Sequence, residues 1–312
     1  MQELIGWVLL VVKVFNIMSY LSKKLLTIPN KVLGSLYWNL TPMYIAGANW
    51  IGVTYGNGRF VAVSKSDTIG AYSDNGINWY YFNFPEPPSI FDNYSCIAYG
   101  GGKFVVTGAQ FAHSADGITW VAGPSTIGYN NITYGEEKFV VIAQSSNQAA
   151  YSNNGITWIA TTLPSFSGWN ALAYGGGRFV AIAVNDSTAA YSNDGVTWVA
   201  ATMPSSQSWR SVTYGGGRFV AIASDTNVAA YSNDGITWIA MTLPSSSYWT
   251  AVTYGGVQFF ALSYTENKGA YSNNGITWTQ FTMPGGKWVQ ATYGENRFVA
   301  VADFSSQSAF TI

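Results

Sequence analysis

Cysteine and histidine each occur once in 312 residues, as Cys96 and His113. A single cysteine excludes internal disulfides and any cysteine metal cluster. A single histidine excludes a histidine metal site. Charge is also scarce: Asp, Glu, Lys and Arg make up 9% of the chain, and the formal net charge is −1. No basic field exists to attract nucleic acid. No carboxylate pair stands in divergent sequence except Glu86 with Asp92, and no nucleophile accompanies a base. The expectation is a protein with no enzymatic activity, no cofactor and no metal.

What the chain has in abundance is a repeat. Tyr-Gly recurs at Tyr55, Tyr99, Tyr134, Tyr174, Tyr214, Tyr254 and Tyr293, with gaps of 44, 35, 40, 40, 40 and 39 residues. A period near 40 marks one supersecondary unit used repeatedly. In the fifth unit, four short runs rich in β-branched, aromatic and small apolar residues read as strands: Ser211–Tyr214, Phe219–Ala223, Ala229–Ser232 and Ile236–Ala240. Gly215-Gly216-Gly217 separates the first two, and Asp234-Gly235 separates the last two. Asn-Gly or Asp-Gly between strand-like runs is a strong hairpin signal. Each unit therefore reads as a four-stranded antiparallel meander, and several such units read as a β-propeller.

The ends of the chain suggest how the ring closes. The fourth strand carries a Trp at Trp79, Trp120, Trp158, Trp198, Trp238 and Trp278, which leaves the seventh unit without one. That unit runs out at Phe310-Thr311. At the other end, Leu36-Tyr37-Trp38 resembles Ile236-Thr237-Trp238. The expectation is an all-β, seven-bladed propeller over 37–312, its last blade completed by the N-terminal strand, so that no sheet edge is left open.

The Ser-x-Asp-Gly-x-Thr-Trp segments resemble the Asp-box, or bacterial neuraminidase repeat, of sialidase-like propellers. The matching residues are Ser192, Asp194, Gly195, Thr197 and Trp198, then Ser232, Asp234, Gly235, Thr237 and Trp238. The usual box has one more residue between Asp and Gly. The resemblance covers 37–312 and implies fold far more than function. Sialidase activity would need three arginines around a carboxylate. Of Arg59, Arg178, Arg210, Arg218 and Arg297, only Arg210 lies outside the repeated slot before Phe. The shortened variant looks like repeat propellers of phage tail and virion proteins and of some bacterial surface proteins. That resemblance implies a structural component of a virion, tail or surface assembly, partnered by other protein subunits. A glycan- or host-surface-binding module is the alternative, and a membrane-anchored scaffold the second.

Residues 1–36 stand outside the repeat. Leu4–Leu21 is apolar except for Lys13 and polar Asn16 and Ser19. No positive charge precedes it and no small-residue cleavage site follows it, which argues against a secretory signal. The expectation is an apolar helix that docks on another protein chain, with Trp7, Leu10, Val14 and Phe15 as the docking residues. A membrane span is the alternative, since 18 residues sit at its lower length limit.

In a propeller, the loops from strand four to the next strand one share a face with those from strand two to strand three. Binding concentrates on such loops. A Trp closes the first type at Trp50, Trp169, Trp209, Trp249 and Trp288, with Tyr94 and Asn130 at the two remaining places. These aromatics are candidate ligand-binding residues, or else packing between units. The connection Phe82–Tyr94 is longer than its counterparts and breaks the symmetry, which adds Glu86, Phe91 and Asp92 as candidates. On the opposite face, Arg178 could pair with Asp194 and Arg218 with Asp234. His113 stands where other units place Tyr and reads as a core substitution.

Overall fold

The computed structural model describes residues 37–43, 48–65, 68–85, 94–126 and 128–311. Trp38–Ile312 forms one compact unit. All regular elements among the described residues are β-strands, and neighbouring strands pair antiparallel. The first sheet runs outward through Trp50–Gly56, Arg59–Ser64, Ile69–Ser73 and Tyr80–Asn83. The second runs through Tyr94–Gly100, Lys103–Gly108, Gln110–Ser114 and Val121–Ser125. The third uses Tyr129–Gly135, Lys138–Ala143, Ser146–Ser152 and Ile159–Ser167.

The fourth sheet has six strands: Trp169–Gly175, Arg178–Ser192, Val199–Gly215, Arg218–Ala223, Thr226–Ser232 and Ile239–Ser247. The fifth uses Trp249–Gly255, Gln258–Ser263, Lys268–Ser272 and Thr279–Thr282. The last runs through Trp288–Gly294, Arg297–Ala302 and Gln307–Thr311, and finishes with Trp38–Pro42. Trp38 faces Thr311 and Pro42 faces Gln307, so the two ends of the propeller share one sheet.

Two expectations are corrected here. No helix occurs among the described residues, and residues 1–36, with Trp7, Leu10, Val14 and Phe15, lie outside them. Seven separate four-stranded blades are not found either. Counted by hydrogen-bonded sheets, the propeller has six blades, five of four strands and one of six. The wide blade arises where two repeat units meet. Arg178–Ser192 is hydrogen-bonded continuously from second to third strand, and Val199–Gly215 from one unit into the next. Their loop segments pair as well, Val184 with Ser208 and Asp186 with Gln207, which joins the two units' sheets. Asn185 takes φ 59° there, as Asp225 takes φ 60° at the equivalent place of the next unit, so the difference lies in the added pairing and not in the backbone reversal.

The core consists of wedges between neighbouring units. The second strand is a continuous apolar run, such as Phe219-Val220-Ala221-Ile222-Ala223, and is buried on both faces. One wedge gathers Val180, Ile182, Met203, Trp209, Phe219 and Trp238 from two units. The innermost strands are held by Tyr-Gly itself. Each Gly lies under the Tyr ring of the following unit: Gly56 under Tyr99, Gly175 under Tyr214, Gly215 under Tyr254, and so round to Gly294 under Tyr55. A β-carbon at these glycines would stand 1.9–2.2 Å from a ring carbon, so glycine is required by space alone.

The Asp-Gly turns repeat one hydrogen-bond pattern. Asp194 Oδ1 accepts the backbone N–H of Val196 and Thr197 at 2.8 and 2.7 Å, and the Ser192 hydroxyl at 2.8 Å. Gly195 takes φ 70° and packs on Val140 of the preceding unit. Asn75, Asn154 and Asn274 reproduce the pattern with an amide oxygen. The turn is thus a packing device, in which a left-handed Gly lets the backbone approach the preceding unit.

Candidate functional site

At its start, each innermost strand makes the same irregularity. Trp169 pairs with Ala183 and Ala171 with Ile182, which leaves Asn170 as the extra residue of a β-bulge. The same shift follows Trp50, Tyr94, Tyr129, Trp209, Trp249 and Trp288. A bulge re-aims the side chain it carries. The seven bulged residues are Ile51, Ser95, Asn130, Asn170, Arg210, Thr250 and Val289, and all of them line one cavity of about 1050 Å³. The loops after the second strands supply Lys65, Gln144, Tyr264, Thr265 and Asp303 to the same cavity.

Part of this lining is spent on structure. Asn130 donates to the Trp169 carbonyl at 3.2 Å, and Asn170 to the Trp209 and Arg210 carbonyls at 3.3 and 3.0 Å. Thr250 donates to the Trp288 carbonyl at 2.8 Å. These bulged side chains staple one innermost strand to the next. Tyr264 donates to Asp303 Oδ2 at 2.9 Å, and burial, followed by this bond, raises the pKa of the Tyr264 phenol.

Among the described residues, other polar side chains of the lining are unspent, Lys65 and several threonines included. The side chains of Ser95, Gln144, Arg210 and Gln290 line the cavity, and none has a hydrogen-bond or ion-pair partner among the described residues. Arg210 is exposed and occupies the slot that Asn and Thr use as a staple in three other units. Lys65 and Arg210 are the cations of the lining, and Asp303 is its one acidic residue.

The sequence-derived candidates are placed as follows. Trp50, Trp169, Trp209, Trp249 and Trp288 are wholly buried, and Tyr94 is 3% exposed. The indole N–H of Trp169, Trp209 and Trp249 donates to the carbonyls of Ser165, Ser205 and Ser245, at 3.0, 3.1 and 3.2 Å. Trp50 donates to Ser305 of the last unit at 3.2 Å, across the closing seam. None of these five indoles keeps a face on which a sugar could stack. Glu86, Phe91 and Asp92 lie outside the described residues. The flanking Phe84 is buried against Tyr94 and Trp120, with ring centroids 4.4 and 4.7 Å away.

Chemistry elsewhere is quiet. The Cys96 thiol is pushed up by burial, so its reactive thiolate is disfavoured. His113 lies on the third strand of its unit, partly buried, and both burial and Lys103 lower its pKa. The expected pairs on the opposite face are not formed. Arg178 donates to Asn193 at 2.9 Å and to the Asp234 carbonyl of the next unit, and Arg218 does not reach Asp234. Among the described residues of that face, Arg59 does pair with Asp74, at 2.6 Å. Arg59 thus bonds the turn of its own unit and, through the Asp116 carbonyl at 2.7 Å, that of the following one.

No family model matches the chain, and no curated protein matches it. Solved structures do. A streptogramin B lyase aligns with TM-score 0.78 at 12% identity, over 88% of this chain and 97% of the other. The virginiamycin B lyase of Staphylococcus aureus aligns with TM-score 0.78 at 11% identity, over 89% and 100%. YCF48 bound to D1 peptide aligns with TM-score 0.71 at 13% identity, over 88% and 95%. At such identities the likeness is one of fold, and it establishes the β-propeller. These neighbours also correct two expectations. They are enzymes and a peptide-bound protein, so the virion or tail-type role and the exclusion of enzymatic activity are both withdrawn. Neither the glycan or host-surface alternative nor a membrane role has support in these comparisons.

Proposed function

We propose that this propeller is a receptor for an extended, largely uncharged polypeptide segment of a protein partner, held in the bulge-lined cavity. The unspent amides of Gln144 and Gln290 carry the reading. Each offers one acceptor and two donors, which is the complement of a peptide group's N–H and C=O. They belong to the third and seventh repeats, so a chain crossing the opening meets an amide from each of two separated units. Ser95 adds a hydroxyl between them. The volume of about 1050 Å³ suits several residues of extended chain. The peptide-bound YCF48 is a precedent for peptide binding by a propeller of this fold.

Selection from a displayed library of random peptides tests the reading. The wild-type protein should enrich a family of peptides. Gln290→Trp, which places an indole inside the cavity, should lose them at unchanged melting temperature. Glu137→Gln, on the opposite face, should retain them. Enrichment that survives Gln290→Trp, or none at all with the wild type, overturns the proposal.

A further inference from the structure

We infer that Arg210 is the anchor for a carboxylate, and that the bound polypeptide ends in the cavity with its C-terminal carboxylate on this guanidinium. The inference rests on the peptide reading above and adds the direction and end of the chain.

The position of Arg210 is built rather than incidental. It is the extra residue of a bulge, fixed between Trp209, paired with Ala223, and Ser211, paired with Ile222. Trp209 is wholly buried and its N–H is bonded, so the backbone that carries Arg210 is rigid. Asn170 of the preceding unit bonds the Arg210 carbonyl at 3.0 Å, which fixes the same peptide from the other side. At the equivalent places Asn130, Asn170 and Thr250 use their polar groups to staple the next strand. Arg210 forgoes the staple, and its five N–H donors stay without a protein partner. The other four arginines all sit in the slot before Phe, and Arg59 and Arg178 bond the turns there.

The charge of the lining points the same way. Lys65 and Arg210 are opposed only by Asp303, whose Oδ2 already accepts from Tyr264. The cavity therefore carries an excess of one positive charge over otherwise neutral polar walls. A planar guanidinium in such walls favours a bidentate carboxylate over a point anion. In a largely uncharged chain, the carboxylate available is the terminal one. An Asp or Glu side chain presents the same chemistry, and the test separates the two sources.

The probe is the peptide enriched from the displayed library, synthesised with a free C-terminus, with a C-terminal amide, and with each acidic side chain replaced by its amide. Titration calorimetry should show about tenfold or greater weakening on terminal amidation. Arg210→Gln should weaken the free acid to the level of the amide, and amidation should then have no further effect. Arg210→Lys should recover part of the loss, since charge remains without the fork. Equal binding of acid and amide by the wild-type protein overturns the anchor and leaves the peptide receptor standing. So does an effect that follows an acidic side chain, or one that follows Lys65→Gln instead of Arg210→Gln. Absence of any peptide binding removes the reading beneath it.

Discussion

Gly294 lies beneath the ring of Tyr55, where a β-carbon would stand 2.2 Å from the ring's Cγ. The two residues are 239 positions apart in sequence, yet their contact is the same one that joins every other neighbouring pair of units. The Tyr55 hydroxyl then donates to Glu295 Oε1 at 2.5 Å, which together with burial holds the phenol at about 12. The innermost ring thus closes by stacking, while the outermost strand closes by hydrogen bonds between Trp38–Pro42 and Gln307–Thr311.

Gly294→Ala should therefore destabilise by roughly 1–3 kcal/mol, the cost of forcing a methyl into packed space. Gly177→Ala is the control, because nothing lies within 4 Å and only its φ of 75° opposes the change. It should cost about 1 kcal/mol. Urea midpoints at constant slope measure the difference, and equal losses would show that the stacking carries no steric constraint.

Phe260 occupies a second-strand place where Val61, Val105, Val140, Val180, Val220 and Val299 stand in other units, and those valines meet turn glycines. Among the described residues the last unit has no such turn, since its outer strands Gln307–Thr311 and Trp38–Pro42 are not consecutive in sequence. Phe260 fills that space, 6.2 Å from Trp38 and 4.2 Å from Phe298 between ring centroids. Phe260→Val should leave a cavity at the seam and cost about 2 kcal/mol. Val220→Phe should overpack against Gly275 by a similar amount. Thermal melts of both variants test this, and a neutral Phe260→Val would show that the seam does not need the ring.

Trp209→Ala should cost roughly 3–5 kcal/mol of stability, because a wholly buried indole is removed and the Ser205 carbonyl loses its donor. Chemical denaturation should show this loss with no ligand present. A Trp209→Ala variant as stable as the wild type would contradict the burial.

Acid should act on the turn aspartates. Burial pulls the Asp116 carboxyl upward, but the N–H groups of Ile118 and Thr119 and the hydroxyls of Ser114 and Thr119 outweigh it and hold it at about 2, below its ordinary 3.8. Asp194 and Asp234 are lowered by the same kind of bonds. A depressed native pKa contributes stability that is present above the ordinary value and lost as pH falls through the native one. The loss therefore belongs between pH about 4 and about 2. Asn75, Asn154 and Asn274 make the same bonds without titrating. The triple variant Asp116→Asn, Asp194→Asn, Asp234→Asn should lose less stability across that window than the wild type, measured by urea unfolding at each pH. Identical acid curves would remove these carboxylates from the account.

Local chemistry was legible in the chain. Tyr-Gly, the second-strand apolar run and the Ser-x-Asp-Gly turn each specify a strand or turn from neighbours within a few residues, and the period shows that they recur. The two-ended sheet was also readable, because Trp38 and Phe310 keep the spacing of the repeat. Arg210 stood out as the one arginine outside its repeated slot. Its direction did not, because a bulge is a relation between two strands and shows only when Trp209 and Ser211 find their partners on the next one. Whether a Trp at a loop end faces a ligand or a neighbouring wedge depends on the stagger of adjacent sheets, and so does the reach of Arg178 to the next unit's turn as well as its own. The merging of two units into one wide sheet was decided there as well, since loop segments become strand only when another loop lies within hydrogen-bonding distance. Residue order determined the elements and their repetition, whereas distance between elements decided which side chains were left free to act.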